Sequence, residues 1–277
     1  MKVICVQTNP DSNLESNISK LDFQMQNIET APRRTGIVVL PEVFAVMGSD
    51  ELRKESASAL GEGLFKKASE WARQLGYYLV AGSHAESADD ETKVFNTATA
   101  FDPHGRLLNV YRKVHLFNLR DSNGVPLYCE SDVFLQGKDT STFTIHDEGE
   151  NWRCMTIVCY DLRFPEIVRR EISRSGAIDI LFVPAAFTHQ TGKDHWEVLL
   201  RARAIENQCY VVACNQTGYH TEGRKRNWGH SMIIDPWGHI VTSAEEAEGI
   251  ISAEITKEAI QNSRVRIPSL TDRVFVN

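Results

Sequence analysis

The feature that most constrains this chain is an alternation of two periodicities. Short runs of apolar, often β-branched residues (KVICVQ, GIVVLPE, YYLVAGSH, VFNTATAF, RCMTIVCY, DILFVPAA, CYVVACNQ, HSMIID, GIISAEI) are bounded by turn residues. Several are apolar without interruption, as strands covered on both faces must be. Between them lie stripes of helical spacing. Leu14, Ile18, Leu21, Met25 and Ile28 form one, and Leu64, Ala68, Trp71, Ala72 and Leu75 form another that stops at Gly76. Helices alternating with strands imply an α/β fold.

Two segments, FDPHGRLLNV and IDPWGHIVTS, share the order apolar residue, Asp-Pro-x-Gly, strand. Asp, Pro and Gly at these spacings suit a hairpin corner built on a type I turn. The likeness implies an internal repeat: two α/β halves packed sheet against sheet with helices outside, a four-layer α-β-β-α sandwich. No Pro/Gly/Ser-rich linker divides the chain, so residues 1–277 read as one domain.

A hydrophobic content of 42% supplies an ample core, and 30 Lys+Arg against 37 Asp+Glu give a net charge of −7. With no basic cluster interleaved with aromatics, nucleic acid and anionic membranes are excluded as partners, and a small molecule is favoured. The apolar run Val3 to Val6 is too short for a secretion signal or a membrane span, so the expectation is a cytoplasmic protein. Its six cysteines then stay reduced, most of them as small core residues.

One cysteine stands apart. In CYDLRFPE, Cys159 follows a buried run and precedes an apparent helix with Pro165 in its first turn and Gly176 as its stop. Free backbone N–H groups at that junction favour thiolate character and offer an oxyanion site. VVLPEVF and NVYRKVHLF likewise put Glu42 and Lys113 directly after strands. Taken singly, these are a core thiol, a solvated loop acid and a surface lysine. Open α/β sheets, however, bring residues from several strand ends together at one edge.

LPE, YRKVHLF and CYDLRFPE, in this order and at strand ends, resemble the Glu, Lys and Cys motifs of the nitrilase (carbon-nitrogen hydrolase) superfamily, with similarity from VICVQTNP to GIISAEI. The resemblance implies the same four-layer fold and an amidase mechanism needing no metal or cofactor. Cys159 would attack a carboxamide and form a thioester, and Glu42 would be the general base, its pKa raised by burial. Lys113 and the backbone N–H of Tyr160 would hold the oxyanion. Glu130, in PLYCES, matches a second glutamate that steadies the lysine in the amidase branches. The segment PAAFTHQTGKDHWEVLLRARAIENQCYVVACNQTG is similar to the branch of deaminated-glutathione amidase and omega-amidase. Such substrates are 2-oxo acid amides and need a carboxylate-binding group. Arg163 is the candidate, although it could instead brace its loop through Asp161 or Glu166. The long NLRDSNGVPLYCES loop is expected to add contacts through Arg120 or Asn123.

Apolar residues on two faces of DHWEVLLRARAIENQ, opened by an Asp194-x-x-Glu197 capping pattern, imply a two-fold homodimer through this helix and the one after Cys159. The tail, about 258–277, is expected to extend toward the partner. Three alternatives have weaker support. A papain-like pairing of Cys159 with His195 or His230 lacks its signature, a glycosidase on Glu42 and Glu130 would not need Cys159, and a silent scaffold need not keep all the motif residues.

Overall fold

Alternation along each central strand sends its two faces to different cores, and that alone sets the layering. In the computed structural model, residues 1–30, 35–89, 92–220 and 223–275 are described. The first half runs β1 (Lys2–Gln7), α1 (Leu14–Gln26), β2 (Gly36–Val39), α2 (Asp50–Glu55), α3 (Gly63–Leu75), β3 (Tyr78–Ser87), β4 (Val94–Phe101), β5 (Leu107–Arg112), β6 (Asn118–Arg120), β7 (Pro126–Cys129) and β8 (Phe134–Leu135). The second runs β9 (Thr142–Asp147), β10 (Glu150–Thr156), α4 (Pro165–Ser175), β11 (Ile180–Ala185), α5 (His189–Asn207), β12 (Tyr210–Asn215), β13 (Thr217–His220), β14 (Lys225–Trp228), β15 (Met232–Ile234), β16 (Ile240–Ser243), β17 (Gly249–Glu254) and α6 (Lys257–Arg266).

One sheet has the order β17-β1-β2-β3-β4-β5, and the other β16-β15-β12-β11-β10-β9. Both repeat one pattern. Three parallel strands (β1-β2-β3 and β10-β11-β12) are flanked by an antiparallel edge strand on one side and an antiparallel pair on the other. The Asp-Pro-x-Gly corners occupy equivalent places: Gly105 and Gly238 have positive φ, and Asp102 and Asp235 each accept from two backbone N–H groups of their turn. The expected internal repeat is therefore present.

Val3, Cys5, Ile37 and Val39 of the first sheet meet Ile180, Phe182, Val212 and Cys214 of the second in the central core. Their neighbours one residue along, Ile4, Val6, Val38 and Leu40, pack outward against Leu21, Met25, Ala68 and Trp71 of α1 and α3. In the same way Leu181, Val183, Val211 and Ala213 pack against Val168, Ile172, Trp196 and Leu200 of α4 and α5. The α-β-β-α sandwich follows from this odd-even division.

Two expectations change. Helix α5 begins at His189 after Thr188, so Asp194 lies inside it and caps nothing. Gly192 weakens the helical pattern in the sequence, yet it lies inside α5, where only glycine fits because a Cβ would lie 2.4 Å from Trp228. The NLRDSNGVPLYCES segment is also no open loop: β6 and β7 pair as a hairpin. The tail begins as α6, which buries Ile260 and receives the Gln208 amide at the Ser263 and Ile267 carbonyls of its C-terminal end. Val274 and Phe275 beyond it are exposed. Among the described residues, no helix is long and apolar enough to cross a membrane.

Candidate active site

Cys159 sits at a bend that its own neighbours enforce. β10 ends at Thr156, a short 3₁₀ turn spans Cys159–Arg163, and Pro165 opens α4. At φ 47°, Cys159 occupies the left-handed region that non-glycine residues avoid, a strain of about 1–3 kcal/mol that surrounding contacts must hold. The wholly buried Asp161 holds it. Its carboxylate accepts from Val158 N at 3.0 Å and the Tyr111 hydroxyl at 2.6 Å, and from His115 N at 2.9 Å, with His115 Nδ1 at 2.8 Å. Burial, then the charge of Asp161, pushes the Tyr111 hydroxyl well above its ordinary pKa, so it stays a donor.

Glu42 comes from the end of β2, and Val43 beside it is also strained, at φ 48°. Val43 N donates to the Ser83 hydroxyl, and the Gln216 amide donates to the carbonyls of Glu42 and Val43, which locks this strand end. Lys113 follows β5, and Glu130 opens a turn after β7. All three side chains are buried and converge. The Lys113 ammonium lies 2.8 Å from Glu42 Oε1 and 2.8–2.9 Å from both Glu130 oxygens. Asn96 of β4 bridges the two carboxylates, at 2.9 and 3.2 Å. Ala186 N, after β11, donates to Glu42 Oε2, and Phe117 N donates to Glu130 Oε2. Four strand ends thus deliver the predicted groups to one point.

The electrostatics differ from expectation in two respects. Burial pushes the Glu42 carboxyl up, but the charge and hydrogen bond of Lys113, with the Cys159 thiol and Ala186 N–H, outweigh it and hold Glu42 below its ordinary value of 4.5. Burial and the charge of Glu42, only partly offset by Lys113, push the Cys159 thiol well above 9.0. Glu42 is therefore lowered rather than raised, and Cys159 is shifted toward the thiol rather than the thiolate. Lys113 resists the lowering effect of burial through Glu130 first, then Glu42, and stays charged. The arrangement can pass a proton from a buried thiol to an adjacent carboxylate beside a fixed cation.

Glu42, Lys113, Glu130 and Cys159 line a cavity of about 420 Å³. A smaller space of about 30 Å³ that also borders Cys159 is lined by Tyr160, Arg163 and Thr188 among others. Arg163 braces neither Asp161 nor Glu166; its guanidinium lies 5.1 Å from the Phe187 ring centre and 3.2 Å from His195 Nδ1. Arg120 and Asn123 are absent from the cavity lining: Arg120 bonds the Gly124 carbonyl at the exposed hairpin tip. The charged wall comes instead from Arg53 and from Arg224, Lys225 and Arg226, none of which carries a sequence motif. For Asn96, a polar residue interrupting VFNTATAF is the available signal; for Asp161, its place inside CYDLRFPE. Neither histidine of the papain-like alternative serves Cys159, since His195 meets Arg163 and His230 stacks on Trp228.

Residues 2–265 match the family described as carbon-nitrogen hydrolase. A deaminated glutathione amidase of Synechocystis is 42% identical, covering 95% of this chain and 94% of that protein. The omega-amidase NIT2 of Danio rerio is 35% identical over 88% of this chain and 85% of its own length. The crystal structure of Saccharomyces cerevisiae Nit3, a member of branch 10 of the nitrilase superfamily, superposes with a TM-score of 0.80 at 29% identity, covering 99% of this chain and 97% of that one. With a family match over nearly the whole chain, and with the Glu, Lys and Cys motifs converging at one sheet edge, the protein belongs to the carbon-nitrogen hydrolase family.

Proposed function

We propose that the protein is an amidase that cleaves the C–N bond of a small 2-oxo acid amide through a cysteine thioester, with deaminated glutathione as its substrate. The observation that carries this reading is the buried Glu42–Lys113–Glu130 cluster against Cys159 on the wall of a 420 Å³ cavity. Cys159 Sγ attacks the amide carbonyl as its proton passes to Glu42, and the carbonyl oxygen becomes an oxyanion facing the Lys113 ammonium and the Tyr160 backbone N–H. Collapse expels the amine, which takes the proton from Glu42 and leaves a thioester. Glu42 then takes a proton from the attacking water, and the carboxylic acid leaves as the thiol is restored. Glu130 keeps Lys113 charged throughout. Arg163, which has no ion pair among the described residues, binds the carboxylate of the 2-oxo acid portion.

The 42% identical relative of that name supports the substrate. A second reading, omega-amidase action on 2-oxoglutaramate, is supported by the 35% identical NIT2. Its leaving group is only ammonia, however, and would leave most of a 420 Å³ cavity empty. The reading also includes a cytoplasmic setting, in keeping with six free cysteines, and a two-fold homodimer through α4 and α5. Val198 and Ile205 of α5, 67% and 50% exposed, support that interface, and exposed Val274 and Phe275 support a tail reaching toward the partner.

The deciding experiment compares kcat/KM for deaminated glutathione, read as cysteinylglycine release, with that for 2-oxoglutaramate, read as ammonia. A preference of about tenfold or more for the first, roughly 1.4 kcal/mol of transition-state binding, is expected. The opposite preference installs the omega-amidase reading, and release from neither rejects both.

A further inference from the structure

The wall of the main cavity away from Arg163 carries more positive charge than the mechanism uses. Among the described residues its only acids are Glu42 and Glu130, and both are engaged by Lys113. Arg53, Arg224, Lys225 and Arg226 nonetheless line the same space, in a protein of net charge −7. Arg226 is paired with Glu246. Arg53 is matched only by a longer ion pair, and Lys225 has none among the described residues. The Arg53 guanidinium is nine-tenths buried and donates to the Tyr128 hydroxyl at 2.7 Å, and its Nε has no partner among the described residues. Its ion-pair partner Asp50, 3.6 Å away on the same helix, is half exposed. The Lys225 ammonium sits 4.9 Å from the ring centre of Tyr128 with no carboxylate beside it among the described residues. Tyr128 thus carries a cation against its ring and another at its hydroxyl, two residues before Glu130. His220 reports the resulting field: burial, then Lys225, then Arg53, lowers its pKa to about 4, so it stays neutral and adds no charge.

We propose that Arg53, Tyr128 and Lys225 form a carboxylate subsite for the leaving amine, so that the substrates are amides whose amine half ends in a carboxylate. This rests on the amidase reading for the position of the scissile bond. The acyl half, with its own carboxylate, lies toward Arg163, and the bond falls between two anion sites at Cys159. A buried guanidinium and an ammonium with no ion pair among the described residues, converging with a phenol, are well suited to a carboxylate, which can accept from all three. An uncharged amine tail would leave the buried Arg53 donors without that partner, which penalises neutral competitors, while the exposed Lys225 adds attraction for the acid.

The test uses two substrates that differ in one group: deaminated glutathione and its derivative with the terminal glycine carboxylate converted to a carboxamide. The wild-type protein should favour the acid by about tenfold or more in kcat/KM, mostly through KM, and Lys225→Met should shrink that ratio to within about threefold. Equal rates on the two substrates, or a ratio untouched by Lys225→Met, overturn the subsite. If no amide is cleaved at all, the amidase reading fails, and the subsite is judged by calorimetry on Cys159→Ala protein with cysteinylglycine and cysteinylglycinamide. Binding at least about tenfold tighter for the acid sustains it, and equal or absent binding removes it.

Discussion

Glu42 is held ionised in a place where burial alone would protonate it, and that condition has consequences for pH. Its folded pKa lies below 4.5 because Lys113 and Ala186 N–H outweigh desolvation. The unfolded chain therefore takes up the proton first as pH falls. The stabilisation from this group is complete above 4.5 and is lost as pH drops through the folded value. A base that is already ionised also keeps kcat/KM level on the acid side until pH falls below 4.5, and a thiol raised well above 9.0 gives no rising limb near that pH. A pH–rate profile with an ascending limb centred near 9 would contradict the neutral-thiol resting state. At the nucleophile, Cys159→Ala should abolish turnover by about a thousandfold or more, while the core thiols Cys154, Cys209 and Cys214 tolerate alanine with activity retained. Intact-mass spectrometry should detect a thioester on wild type that is missing from the Cys159 variant. Lys113→Met should lower kcat by about 10²–10³ and also destabilise by about 3–5 kcal/mol, because it leaves two buried carboxylates facing each other. Denaturant unfolding measures the second effect independently of the first.

At the scale of elements, the site depends on strand ends whose positions are fixed by contacts remote in sequence. Gly82 of β3 shows the constraint: at φ 50°, a Cβ would lie 1.9 Å from the carbonyl of Pro41, the residue before Glu42. Gly82→Ala must push that strand end away, and a loss of activity together with a lower Tm is expected, the left-handed backbone alone costing about 1–2 kcal/mol. The β6–β7 hairpin behaves differently along its length. Its base delivers Phe117, Tyr128 and Glu130 to the cavity, while Arg120 and Asn123 sit at the exposed tip. Arg120→Ala and Asn123→Ala should therefore leave kcat/KM within about twofold, as for surface positions generally. The sequence marks this segment as a loop because Asp, Ser, Asn, Gly and Pro dominate it. Its pairing is set by register against a partner strand, not by composition.

For the whole molecule, the repeated sheet pattern explains why one edge gathers the chemistry: each half contributes parallel strands whose carboxyl ends face the same crevice. On the outer surface, Val198 and Ile205 of α5 remain exposed while Trp196, Leu200 and Ala204 are buried. Sedimentation velocity at micromolar protein should give a dimer, and Val198→Glu with Ile205→Glu should yield monomer with reduced activity, since α4 begins at the Cys159 turn. A wild-type monomer at all concentrations would reject the interface. The amino-acid sequence by itself determined the α/β class and pointed to the repeat, and with the family resemblance it pointed to the layered packing and to Glu42, Lys113, Cys159 and Glu130 as candidates. Strand alternation and strand-end motifs are local properties, readable within a few residues. Only the tertiary structure decided that Lys113 lowers the pKa of Glu42, that burial and Glu42 raise that of Cys159, and that Asp161 holds its turn. It also put Arg53 and Lys225, rather than Arg120 and Asn123, on the cavity wall. Those outcomes depend on charges and hydrogen bonds between residues as far apart in the chain as Glu42 and Ala186, and Coulomb energies in a buried site follow distance in space, which no local pattern encodes.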